Sequence, residues 1–278
     1  MRNQGFSLVE SLVTAVILAV LAIVGTGTVQ NALNQGAMVR ETSAAKVLMT
    51  AYIQAAGEND GKFMPGYDNS AGEVTMRDGT VISGVEARRY PFRLAPYMDY
   101  RIEGTILVGK NAKQLKSGMG ASYNYMISCF PAFGINHLFV GGNIESNGTT
   151  TFSGECIDRQ SRATASIMVF ATAAGSNPDG DGKIYSGFCK VEPPNLTVAN
   201  WKKATWTKGA DPGKYGQVDA RYNDRAICAF LDGSVRLHSI EELRNMALWS
   251  RNAAEQHNPD YLIPDPRGST PKPPGTRL

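Results

Sequence analysis

A chain of 278 residues has room for one transmembrane helix and one sizeable globular domain. Its 28 basic and 25 acidic residues nearly cancel, for a net charge of +3, and no basic stripe or RNA-binding aromatic motif accompanies them, so nucleic acid is not an expected partner. Frequent glycine (29) and proline (14) suit a loop-rich β domain, while His137, His238 and His257 are too scattered for a metal cluster.

The first predicted element is a helix. Residues 6–56 contain no proline, and at about 1.5 Å per residue some 50 residues reach about 75 Å. From Phe6 to Ile23 the helix is apolar all round, as a membrane span requires. Glu10 is the one exception, with no other charge between Arg2 and Arg40. A carboxylate at the bilayer centre costs roughly 2.5–3.5 kcal/mol on insertion scales, so this one calls for a partner. Cutting between Gly5 and Phe6 would release the leader Met1–Gly5 and leave a charged amine on Phe6. Phe6 and Glu10 lie four residues apart on one helix face, so that amine can pair with its own Glu10 or with Glu10 of a neighbouring chain. An ordinary secretory signal fits poorly, because Arg2 is a thin basic region and no A-x-A site follows Val24. A plain single-span anchor leaves Glu10 without a purpose.

With its short basic leader, Gly5, Phe6, Ser7-Leu8-Val9 and Glu10 ahead of a long apolar helix, the N-terminus resembles a type IV pilin or type II secretion pseudopilin. The resemblance covers about the first tenth of the chain. It implies cleavage after Gly5 by a prepilin peptidase, methylation of the Phe6 amine, and polymerisation. It further implies an inner-membrane assembly platform and other pilin-like subunits as partners, and local melting of the helix near Gly25-Thr26-Gly27-Thr28 inside filaments.

Beyond residue 29 the helix turns amphipathic, with Ala44, Leu48, Ala51, Tyr52 and Ala55 at helical spacing. Gly57–Gly61 ends it and Pro65 forbids its return. Val74–Arg77 and Thr80–Ile82 flank Asp78-Gly79, a hairpin signal. Arg89–Tyr97 reads as a short helical or turn segment that docks aromatics. Strands are expected at Tyr100–Val108, Ser122–Phe130, Ile167–Thr172 and Ile184–Val191. Ala226–Leu231 and Ser234–His238 flank Asp232-Gly233 as a second hairpin. Ser239 and Glu242 form a capping box for a helix whose apolar face holds Leu243, Met246, Ala247 and Leu248. The proline-rich tail, Pro264–Leu278, reads as disordered. The C-terminal hairpin also resembles a bacterial group of pilin-like proteins, common in planctomycete and verrucomicrobial lineages, that carry a histidine, nine residues, then Asp-Gly. Tyr222 stands where that histidine would be.

Few residues suggest chemistry. Asn177, Asp179 and Asp181 place oxygen ligands at alternate positions, as in the opening of a calcium loop, but Phe188 occupies the twelfth position where a bidentate glutamate is needed. Calcium is therefore the one cofactor with any footing, against an acidic, glycine-rich turn. Cys129, Cys156, Cys189 and Cys228 form no CxxC or CxxH pair. Outside the cytoplasm they can form disulfides in three connectivities or stay as buried thiols. Trp201 and Trp206 with Lys202 and Lys203 make either a ligand patch or packed aromatics. No G-x-S-x-G, H-E-x-x-H or phosphate-binding glycine loop is present.

The expected fold is α+β, one long N-terminal helix packed on an antiparallel sheet with long loops. The expected organisation is a leader at 1–5, a membrane and filament-core helix at 6–29, its amphipathic half at 30–56, a pilin-like domain at 57–262 and a tail at 263–278. The expected role is a non-enzymatic filament subunit, held in the inner membrane with its C-terminal domain in the periplasm and then assembled outside the cytoplasm. A membrane-anchored polysaccharide-binding module that never polymerises is one alternative. A periplasmic hydrolase on a pilin-like anchor is the other; it predicts a pocket with convergent polar residues and would be supported by a meeting of His137, Asp158 and a cysteine.

Overall fold

A proline-free run lets one helix form without interruption. In a computed structural model, α1 runs Leu8–Glu58. The structure describes residues 8–263 other than 117–121, 153, 177–181, 198–199 and 208, with side chains from residue 32 onward except that of Lys116. Gly25-Thr26-Gly27-Thr28 is helical throughout. The chain divides into two compact units, residues 1–39 and 40–278.

In the second unit α1 carries a buried stripe, Glu41, Ala44, Ala45, Leu48, Met49, Tyr52, Ala55 and Ala56, all within 3% exposure. That three-and-four spacing is the apolar face expected of a helix lying on a core. Asp60 and Gly61 turn left-handed at φ 49° and 73°, and the Gly61 amide closes on the Ala56 carbonyl at 2.8 Å, a left-handed helix exit.

Short elements follow. β1 (Tyr67–Asp68) precedes the hairpin β2 (Val74–Thr75) and β3 (Val81–Ile82), paired antiparallel around Asp78-Gly79. α2 (Gly84–Arg88) and α3 (Tyr90–Leu94) run into a 3-10 turn at Ala95–Met98. α4 is Gly109–Lys116 and α5 is Tyr123–Cys129. β4 (Phe133–Ile135), β5 (Asn143–Ile144), β6 (Met168–Thr172), β7 (Gly175–Ser176) and β8 (Ile184–Tyr185) come next. β9 (Arg225–Phe230), β10 (Val235–Ser239), α6 (Ile240–Leu243) and α7 (Arg251–Glu255) complete the order. The architecture is α+β with antiparallel sheets, one parallel β1–β5 pair and long loops, consistent with a pilin-like fold.

The central sheet has order β10-β9-β6-β4, antiparallel throughout. β6 is buried along its whole length and β9 after its first residue, which accounts for their unbroken apolar sequences. Tyr52 of α1 meets Phe170 of β6 edge-on at 5.4 Å, and Tyr90 of α3 meets the same ring at 5.4 Å. Asn136 donates its amide to the carbonyls of Met168 (3.0 Å) and Trp249 (3.1 Å), tying the C-terminal segment to the sheet.

Three expected strands differ. Ser122–Phe130 is helical instead, as α5, with Met126 to Phe130 buried in one run at its C-terminal end. Tyr100–Val108 is a series of turns: Asp99, Tyr100 and Gly104 have φ of 54°, 59° and 84°, and only Glu103 and Leu107 bridge. Ile184–Val191 is strand only at β8, with one further bridge from Lys190 to Ile135. Likewise the helix expected after Ser239 is broken. α6 stops at Leu243, a 3-10 turn covers Met246–Leu248, and α7 restarts on a Ser250 cap; Leu243 and Met246 are buried, Ala247 and Leu248 only half so.

Candidate functional site

Several expected site residues fall outside the described residues. Gly5 and Phe6 are among them, as are Asn177, Asp179 and Asp181 of the calcium pattern and the Pro264–Leu278 tail. Glu10 lies on α1, but its side chain and those of the Phe6–Ile23 run are not described. Among the described residues no helix is long and apolar enough to cross a membrane, and no group of three or more His, Cys, Asp or Glu is arranged to hold a metal ion.

The described part of α1 brings one charged residue onto its buried stripe, and the sequence reading missed it. Glu41 is 1% exposed. Its Oε1 lies 3.7 Å from Arg221 Nη1, and Arg221 Nε lies 3.0 Å from Asp219 Oδ2. The nearby Tyr222 hydroxyl favours the charged form of the Glu41 carboxyl, while Glu41 Oε2 is buried with no hydrogen-bond partner among the described residues. Arg221 also donates to the carbonyls of Ala173 (2.6 Å) and Ser186 (3.2 Å). Burial raises the Glu41 carboxyl above its ordinary value, while Arg221 pulls it back. Gly109, at φ 64°, leaves room for this carboxylate; a Cβ there would overlap Glu41 Oε1. The cluster thus joins α1 to the loop before β9, and Tyr222, at the position of the expected histidine, belongs to it. A carboxylate on an otherwise apolar stripe was the signal available in the sequence.

His137 is buried behind β4, its Nε2 3.8 Å from Glu192 Oε1, which Lys190 Nζ approaches to 3.3 Å. Burial lowers its pKa, so the imidazole is held neutral. Asp158 pairs with Arg162 at 2.8 Å near the surface. Trp201 and Trp206 are packed aromatics: Trp201 is 4% exposed and meets Tyr215 and Trp249 edge-on, and Trp206 sits 4.9 Å from Tyr215. Asp232-Gly233 is turn chemistry, with Asp232 Oδ1 accepting from the Ser234 amide at 2.9 Å and Gly233 at φ 78°. All four cysteines are free thiols; Cys129, Cys156 and Cys228 are buried and Cys189 is partly exposed.

A cleft of about 560 Å³ opens beside the β2–β3 hairpin. Phe92, Ile102 and Ile127 contribute apolar wall, and Arg77, Asp99 and Tyr100 contribute polar edge. Arg77 pairs with Asp99 and lies 6.0 Å from the Tyr100 ring centroid. Both members of that ion pair are more than half exposed, so the pair itself stabilises little.

Residues 1–26 match the family model described as prokaryotic N-terminal methylation motif. No curated protein and no solved structure matches the chain. The match lies on the segment that holds Gly5, Phe6 and Glu10, and it supports a precursor of type IV pilin or pseudopilin type.

Proposed function

We propose that the chain is a structural subunit, a pilin or pseudopilin, of a type IV pilus or type II secretion-like filament. The observation that carries this reading is the methylation-motif match over residues 1–26, continued by the 51-residue helix Leu8–Glu58. In this reading a prepilin peptidase cuts after Gly5, the Phe6 amine is methylated, and the head stands outside the cytoplasm. Subunits leave the inner membrane at an assembly platform when apolar helices pack side by side. Glu10 then meets the Phe6 amine of a neighbouring copy, which turns a costly charge into a register device. The work is assembly rather than catalysis. Each segment has its part: leader 1–5, span and filament core 6–29, amphipathic half 30–56, head 57–262, tail 263–278.

The test is the N-terminal residue and mass of the mature protein from membranes. A start at methylated Phe6 is expected; a start near Gly27–Leu33 or an uncut Met1 overturns the reading. Glu10→Ala should then leave processed, membrane-held monomers, and intact filaments from that variant would defeat the role given to Glu10.

The cleft beside β2–β3 favours a second reading, a membrane-anchored binding module that does not polymerise. An aromatic ring and paired charges at the rim of an apolar-walled cleft suit a polar ligand such as a polysaccharide. In that case Glu10→Ala leaves ligand binding and biological activity intact.

A further inference from the structure

The sequence leaves three pairings open to four cysteines; the fold separates them. Cys129 ends α5. Cys189 lies on the segment that returns alongside residues 129–135. The Cys189 amide donates to the Cys129 carbonyl at 2.9 Å, and its neighbour Phe188 donates to the Pro131 carbonyl at 2.9 Å. On the other edge of the same segment, the Ile135 amide donates to the Cys189 carbonyl at 3.2 Å. The approach is close enough that a Cβ on Gly187 would overlap the Phe130 carbonyl. Standard backbone dimensions and one backbone hydrogen bond keep two Cα atoms within about 6.5 Å of each other, and a disulfide spans roughly 4.4–6.8 Å.

We propose that Cys129 and Cys189 are a disulfide pair, closed when the head meets a disulfide donor, while Cys156 and Cys228 remain thiols. The surroundings fit that division. Both thiols share one cation, Arg89, which is 3% exposed, donates to Ser128 Oγ at 2.8 Å and lies 5.1 Å over the Tyr125 ring. Cys156 sits elsewhere, with Asp158, Arg162 and Tyr52 as its ionisable neighbours, and Cys228 sits in β9 near Glu242. Burial pushes the Cys129 thiol up to about 11 and the Cys156 thiol up to about 12, while Arg89 draws both Cys129 and Cys189 toward the thiolate. Cys129 is buried and Cys189 half-buried.

The Cys189 thiolate attacks one sulfur of the donor, a small or protein disulfide. The donor S–S bond breaks, a mixed disulfide forms on Cys189, and the first donor sulfur leaves as a thiolate. Cys129 gives up its proton and attacks the Cys189 sulfur, expelling the second donor sulfur. The two protons of Cys129 and Cys189 end on two donor thiols, so the pair is oxidised and the donor is reduced by two electrons. Closing the loop between residues 129 and 189 constrains the unfolded chain.

The pairing rests on geometry alone; its occurrence in the cell rests also on the proposed extracytoplasmic head. The full chain in detergent is therefore incubated with oxidised glutathione, unfolded in an alkylating reagent and mapped by peptide mass. Two alkylated thiols, Cys156 and Cys228, and a peptide linked through Cys129 and Cys189 are expected. The link should vanish in Cys129→Ser and persist in Cys156→Ser and Cys228→Ser. Reducing it should lower the melting temperature by roughly 5–15 °C. Four alkylated thiols after an oxidation that does cross-link the denatured chain, or a link through Cys156 or Cys228, overturns the proposal. The same map on protein taken from cell envelopes tests the compartment: a link that forms in detergent and is missing there upholds the pairing and counts against an extracytoplasmic head.

Discussion

A buried carboxylate on an apolar helix stripe costs free energy unless something answers it. Glu41 is answered by Arg221, 3.7 Å away, while its Oε2 has no hydrogen-bond partner among the described residues. Arg221 is held in turn by Asp219 and by backbone carbonyls. Removing one member of such a buried pair costs about 3–5 kcal/mol, because the remaining charge stays desolvated. Arg221→Met should therefore destabilise the head by about that amount at neutral pH in denaturant melts, and by less in acid, where Glu41 takes up a proton. The wild-type slope follows from the same group. Burial raises the folded pKa of Glu41 above its unfolded value, so its stabilising contribution is full below the unfolded pKa and is lost as pH rises through the folded one. Glu41→Gln removes the titration. The stability of that variant relative to wild type should rise as pH climbs from acid through that window. A gap that does not change with pH would show that Glu41 does not titrate there.

Elements fixed by contiguous residues were legible in advance. Ser239 and Glu242 carry a capping box in four residues, and both of its hydrogen bonds form, the Glu242 amide to Ser239 Oγ at 3.2 Å and the Ser239 amide to Glu242 Oε2 at 2.7 Å. Ser239→Ala should cost about 1 kcal/mol of stability, and Ser239→Thr much less, since a threonine hydroxyl still caps; equal losses in the two melts would place the effect in packing instead. Both Asp-Gly hairpins and the α1 stripe were readable for the same reason, local turn chemistry and period. The misread elements are those where tertiary contacts decide. Tyr123–Cys129 has the aromatic and β-branched content of a strand, yet it is helical, with Met126 to Cys129 buried in one run. Tyr100–Val108 has strand-like content too, but left-handed Asp99 and Tyr100 and the Gly104 turn fold it back. The Glu41 cluster needed Arg221 and Tyr222, remote in sequence, to be seen beside the helix, whereas the methylation motif is complete within 26 consecutive residues.

At the scale of the whole molecule, the second half of α1 belongs to the core of the head. Ala44, Ala45, Leu48, Met49, Ala51, Tyr52, Ala55 and Ala56 are all within 3% exposure. Tyr52 stacks on Phe63 at 5.5 Å, meets Phe170 edge-on, and donates its hydroxyl to the Met64 carbonyl at 2.8 Å. Burying Leu48 and Met49 alone stabilises by roughly 1.5–3 kcal/mol each, against a net stability of about 5–15 kcal/mol for a domain. The unit that holds this core begins at Arg40. A chain shortened to begin at residue 32 should therefore fold cooperatively, with the near-UV signal of packed Trp201, Trp249 and Tyr52. A chain shortened to begin at residue 59 loses the stripe together with Glu41, and leaves Phe170 without Tyr52 and Arg221 without its helix partner. It should show no cooperative thermal transition. A sharp transition in the shorter chain would mean that the sheet and loops stabilise themselves, and that the second half of α1 is an arm docked on a finished head rather than part of its core.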